Sequence, residues 1–174
     1  MGDLVFKRYG EEVILSRKPD LEGVDPTAGQ LAQRERFRDA VLYGKMVMAD
    51  AQARALYEEA ARAKGRPVFS LMVADFFNAP SVDEVDLSGY NGAVGDAIVI
   101  RAHDDFDVRG VSVALTQADG VAIESGAAVE TPAESGRWVY VATVVVSPGT
   151  RVRIAVTAQD HPGGAAQAEQ EKAV

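Results

Sequence analysis

The 174-residue chain contains no cysteine. That excludes disulfides, thiolate metal sites and cysteine nucleophiles, and it leaves the redox compartment open. There are two histidines, His103 and His161, and a single tryptophan, Trp138. Ser125, Ser135 and Ser147 lack the context of a nucleophile elbow, so no hydrolytic triad is expected. No apolar run approaches the ~18 residues of a membrane span. Met1 to Lys7 lacks a basic-then-apolar signal region. The expectation is therefore synthesis in the cytoplasm without a signal peptide, with release inside a larger particle as one route out, and no membrane partner. Basic residues are scarce in the second half. Residues 81–174 carry six Lys and Arg against fourteen Asp and Glu and so hold the whole net charge of −8, whereas residues 1–80 balance to zero. An acidic surface repels phosphate backbones, and no nucleic-acid partner is expected. No internal repeat is present.

What is abundant is strand-like alternation between Ser81 and Asp160. In Arg137 to Val144, the residues Trp138, Tyr140, Ala142 and Val144 share one face. In Arg151 to Thr157, Val152, Ile154 and Val156 face opposite the two arginines, and Val111, Val113 and Leu115 repeat the pattern. Successive strand side chains point to opposite faces, so a period of two describes one buried and one wet face. Strands are expected near 82–87, 97–102, 108–116, 121–125, 137–146 and 151–158. Asp119-Gly120 and Ser147-Pro148-Gly149 provide turns. Short strands punctuated this way indicate an antiparallel sandwich.

Upstream, 4–9 and 12–16 read as a hairpin turning at Gly10-Glu11, and Lys18 to Asp25 as irregular. Thr27 with Gln30 forms a capping box opening a helix to about Met48, with Leu31, Phe37, Val41, Gly44 and Met48 along one stripe. Asp50 caps a second helix that Gly65 stops. Pro67 suits the first turn of a third, Val68 to Asn78, which is apolar almost all round and ends at Pro80. The fold class is thus α+β: an N-terminal hairpin and three-helix segment (1–79), an antiparallel immunoglobulin-like β-sandwich (80–162) and a flexible tail (163–174).

Several clusters could carry chemistry. His103-Asp104-Asp105-Phe106-Asp107 is the densest polar one. Asp104, Asp105 and Asp107 are candidate oxygen ligands for a hard cation such as Ca²⁺, though the EF-hand glycine and closing glutamate are missing; the competing reading is a solvated turn. Asp75 lies within the apolar third helix. A buried carboxyl needs a partner or a shifted pKa, as a general acid or base or as half of a structural pair with an arginine or backbone N–H groups. Gly89, Gly92 and Gly95 match no phosphate loop. Trp138 and Tyr140 could form a sugar platform, but their alternation with Ala142 and Val144 favours core packing. Arg34, Arg36 and Arg38 interleave with Glu35 and Asp39, as on a solvated helix face.

Two stretches resemble known groups. Ser16-Arg17-Lys18-Pro19, then Pro26-Thr27-Ala28-Gly29-Gln30 with Arg34 and Phe37, resembles the start of uncharacterised Bacteroidetes-type bacterial proteins, which combine a short hairpin, a P-T-x-x-Q-x-x-x-R-x-x-F helix and a β-rich remainder. That resemblance carries no functional residues. Ala158-Gln159-Asp160-His161-Pro162-Gly163-Gly164 is similar to the A-x-D-x-x-G-N ending of bacterial immunoglobulin-like modules, with Gly164 in place of the asparagine.

With no catalytic, cofactor or metal motif assigned, the expected function is non-enzymatic. It is a structural, assembly or adaptor role through protein–protein contacts and self-association, as in a phage, phage-like or injection-system particle. The alternative is a module binding carbohydrate or another small ligand. No cofactor is expected.

Overall fold

The computed structural model describes residues 4–9, 12–17 and 25–174. The Gly10-Glu11 turn and the stretch from Lys18 to Val24 lie outside the described residues. The chain divides into two units, residues 1–36 and 37–174.

In the first unit, β1 (Leu4–Tyr9) and β2 (Glu12–Arg17) pair antiparallel, with Phe6 opposite Leu15 and Arg8 opposite Val13. α1 (Ala28–Ala49) begins here and continues into the second unit. Its start is the expected capping box: Gln30 N donates to Thr27 Oγ1 at 3.3 Å, and Thr27 N donates to Gln30 Oε1 at 3.0 Å. Two N–H groups that the first turn leaves without helical partners are thereby satisfied.

In the second unit, α2 (Ala51–Lys64) starts at Asp50, whose carboxylate accepts from Gln52 N and Ala53 N. It stops at Gly65, which takes the left-handed conformation at φ 61° as a helix-ending glycine does. α3 (Val68–Phe77) follows Pro67, which occupies the N-cap rather than the first turn. The buried stripe of α1 is Ala40, Gly44 and Val47, displaced from the expected one; Leu31, Phe37 and Met48 are exposed. Small residues set this. Gly44 lies against the Phe69 ring, where a Cβ would meet Phe69 Cε2 at 2.8 Å. Phe37 stacks on Phe77 and Tyr43 tilts against Phe76. Val47, Tyr57, Ala61, Leu71 and Met72 form a small helical core.

The β part builds two four-stranded antiparallel sheets. Its strands are β3 (Ser81–Asp86), β4 (Ala97–His103), β5 (Gly110–Gln117), β6 (Ala122–Ala127), β7 (Val129–Glu130), β8 (Arg137–Val141), β9 (Arg151–Gln159) and β10 (Ala165–Ala173). The sheet orders are β3-β4-β8-β7 and β10-β9-β5-β6. They correspond to strands A-B-E-D and G-F-C-C′ of the immunoglobulin topology. Val85, Ile98, Ile100, Trp138 and Tyr140 of one sheet share a single core with Val111, Val113, Leu115, Val152, Ile154 and Val156 of the other. The fold is therefore α+β with an immunoglobulin-like sandwich, as the alternation predicts.

Three boundaries differ from expectation. Strand β8 ends at Val141, not Val146, because β4 begins at Ala97, the partner of Val141. The chain beyond it bonds to the glycine-rich loop instead, Ala142 N to Asp96 O and Val146 N to Gly92 O, both at 2.8 Å, and Val144 is exposed. Residues 163–174 are not a flexible tail: they include β10, which pairs with β9 along its full length. Its polar sequence fits an edge strand, where Arg153 Nε reaches Glu169 at 2.9 Å and Arg151 reaches Glu171 at 3.4 Å. A sandwich cut at 162 would lose this strand. The 79/80 boundary also fails to separate compact units, since α2, α3 and both sheets fall within 37–174.

The turn between β9 and β10 explains the Ala158-to-Gly164 motif. Asp160 is buried, its Oδ1 accepts from Gly163 N at 2.7 Å, and its N–H donates to Gly164 O at 3.1 Å. A Cβ on Gly164 would sit 2.3 Å from Asp160 Oδ2, so the glycine leaves room that the buried carboxylate fills. Gly164→Ala is expected to destabilise by roughly 1–3 kcal/mol through overpacking. Gly110→Ala, which meets nothing within 4 Å, serves as control. Equal urea midpoints for the two variants would refute the account.

Candidate functional site

The loop His103 to Arg109 between β4 and β5 is where the helices meet the sandwich. Phe106 carries the junction: its ring stacks on Tyr57 of α2 with centroids 3.9 Å apart and belongs to the fringe of the helical core. The aspartates around it hold the loop. Asp104 Oδ1 accepts from Phe106 N at 2.8 Å, closing a tight turn. Asp105 Oδ2 accepts from Asn78 Nδ2 at 2.5 Å, and its carbonyl accepts from Lys64 Nζ at the end of α2. Asp107 Oδ2 pairs with His161 Nε2 at 3.0 Å, and the His161 ring lies edge-on to Tyr57. His103 turns the other way, to Asp83 at 2.6 Å and to Ser81. The hydrogen bond to the Asp83 carboxylate raises the pKa of His103 and lowers that of Asp83.

The structure thus gives Asp104, Asp105 and Asp107 three separate partners. No group of three or more acidic or imidazole side chains positioned to hold a metal ion occurs among the described residues. Neighbouring carboxylates in a loop point in different directions once each is drawn to a different element. In this structure the cluster clasps the loop to the ends of α2 and α3 and to His161.

Behind the clasp lies Asp75 of α3, fully buried. Its partner is neither an arginine nor a backbone N–H. Tyr57 donates its hydroxyl to Asp75 Oδ2, and Tyr43 and Tyr57 hydroxyls are 2.7 Å apart. Burial, the largest influence, pushes the Asp75 carboxyl up to about 7. The Tyr57 hydrogen bond opposes this, and the nearby Asp104, Asp160 and Asp107 reinforce it. Burial also raises Tyr57 and Tyr43, so both remain protonated donors. Asp75 has no exposed surface in this structure. Its apolar surroundings in the sequence signalled that a partner was required. Tyr57, 18 residues earlier on another helix, carried no matching local signal.

Beside the clasp, a cleft of about 840 Å³ runs between α2 and the sandwich, lined by Leu56, Ala60, Asp107, Glu130, Trp138 and His161 among others. Two of its charged groups are engaged. Glu130 accepts from Glu134 N and Gly136 N at 3.0 and 2.8 Å, and Asp107 holds His161. Trp138 borders this cleft, but it is 8% exposed and belongs to the sandwich core. Arg34, Glu35, Arg38 and Asp39 lie on the exposed surface of α1.

A different kind of surface lies on the hairpin. Leu4, Phe6, Val13 and Leu15 project from one face, as their register dictates, and all are exposed; Phe6 is 73% exposed and Val13 64%. Ile14 on the other face is exposed as well. The two short strands were legible in the sequence, and a hairpin of two strands needs a surface to lie on.

No family model matches the chain, and no curated protein matches it. Among solved structures, the chain is similar to the crystal structure of a Br derivative of BhCBM56, with 14% sequence identity and a TM-score of 0.36, over 56% of this chain and 91% of that chain. A likeness of that extent transfers no ligand and no role. No helix among the described residues is long and apolar enough to cross a membrane.

Proposed function

We propose that this protein is a non-enzymatic assembly or adaptor component that works through protein–protein contacts, self-association foremost. The observation that carries the reading is the uncovered apolar face of β1 and β2. A two-stranded hairpin is marginal in water by itself, and a contiguous apolar patch on a folded chain marks an interaction surface. The polar network around Phe106 and Asp75 fits the same reading, because its groups bond to one another across the fold. Charge adds direction: Lys7, Arg8 and Arg17 lie on the hairpin, whereas residues 81–174 hold the net −8. A second copy therefore offers a complementary surface. Repetition of such a contact builds a ring, a shell or a filament according to its symmetry, which is the setting of a phage, phage-like or injection-system particle.

Light scattering coupled to size-exclusion chromatography tests this. The full chain is expected to form a defined oligomer, and deletion of residues 1–18 is expected to reduce it to a monomer that keeps the β-sheet circular dichroism signal. A monomeric full chain, or an oligomer unchanged by the deletion, overturns the role assigned to the hairpin.

A further inference from the structure

We infer that the Tyr43–Tyr57–Asp75 chain is a proton-linked latch, which keeps the helices clasped to the sandwich through Phe106 while Asp75 is neutral and loosens that clasp when Asp75 ionises. Geometry carries the inference. Asp75 is fully buried, Tyr57 donates to its Oδ2, and its Oδ1 is buried with no hydrogen-bond partner among the described residues. Its ion-pairing options are poor on every side. α1 and α2 offer it tyrosine hydroxyls. The β4–β5 loop brings Asp104 and Asp107, and the β9–β10 turn brings Asp160, all acidic. Of the basic groups nearby, Lys64 is bound to the Asp105 carbonyl and His161 to Asp107, and Arg109 acts on Tyr43. A neutral carboxyl tolerates such a place; a carboxylate there is desolvated among like charges. Tyr57 is the mechanical link, because the same side chain that donates to Asp75 stacks on Phe106.

The sign follows from linkage. The folded chain keeps the Asp75 proton up to about pH 7, whereas the unfolded chain loses it near 3.8. The folded state therefore binds the extra proton between these values, and stability falls as pH rises through that window. The latch is closed in acid and loosened above neutrality.

Amide hydrogen exchange and thermal unfolding of the full chain between pH 5 and 8.5 test this. Wild type is expected to lose protection selectively in α2 and α3, with β5 and β9 unchanged, and its melting temperature should fall by several degrees. Asp75→Asn keeps an acceptor for Tyr57 without a titrating charge, so the selective loss in α2 and α3 should vanish and only the smaller dependence from the exposed His103–Asp83 pair should remain. The protonated-carboxyl infrared band of wild type should disappear with a midpoint near 7. In Tyr57→Phe, which removes a hydrogen bond that favours the carboxylate, that midpoint should move upward by about one pH unit. Identical pH profiles for wild type and Asp75→Asn overturn the latch, as does loss of protection spread evenly over helices and sheets. Should Asp75→Asn fail to fold, the infrared titration decides alone: a midpoint near 4, unmoved in Tyr57→Phe, overturns it.

Discussion

Trp138→Ala lowers the free energy of unfolding by roughly 3–5 kcal/mol, the range for truncating a large buried aromatic. Trp138 stands on β8 opposite Ile100 of β4 and Glu130 of β7, in the middle of its sheet, and faces the shared core. Removing the indole deletes apolar contact and leaves a cavity that strands pinned on both sides cannot close. Its Nε1 is buried without a hydrogen-bond partner among the described residues. Trp138→Phe should consequently cost clearly less than Trp138→Ala, since it removes an unpaired donor while keeping a ring. The chain has one tryptophan, so its fluorescence reports this site without interference. Native emission should be blue-shifted and resistant to iodide. Red, readily quenched emission, or a loss below about 1 kcal/mol in Trp138→Ala, would contradict the core assignment and restore a surface platform.

The second large effect belongs to Tyr57→Ala, expected to cost on the order of 4 kcal/mol or more. Three losses coincide there. A side chain that is 1% exposed leaves a cavity in a helical core of few members. Phe106 loses the ring it stacks on. Asp75 loses its hydroxyl donor while still buried, and an abandoned buried acceptor costs about 1–3 kcal/mol. These losses share partners, so they will not add independently. The helices should yield before the sheets: in urea, far-UV ellipticity from α2 and α3 should fall at a lower midpoint than Trp138 fluorescence. Coincident transitions displaced by less than about 1 kcal/mol from wild type would show that Tyr57 does not join the two layers.

Legibility tracked the range of the interaction. The capping box at Thr27 and Gln30, the Asp50 cap and the Gly65 stop were readable because each is settled within a few residues of backbone. The alternation in β4, β5, β8 and β9 was readable because one face of each strand must leave water whatever its neighbours are. The strong apolarity of α3 and the isolation of Asp75 within it were likewise evident from sequence, and they imply burial and a partner. Tertiary structure alone decided what meets across the chain. β10 has no apolar alternation of its own: it is a strand because β9 offers it an edge and an arginine row for its glutamates. The three aspartates of the β4–β5 loop resemble a cation site in one dimension, but in three they answer to Asn78, His161 and their own turn. The hydroxyl that Asp75 requires comes from a helix 18 residues away, and such pairings depend on the packing of whole elements rather than on local pattern. Sequence therefore determined the elements and the need for each buried group to be satisfied; the fold chose the partners, because in a densely packed interior the nearest neighbour in space is seldom the nearest along the chain.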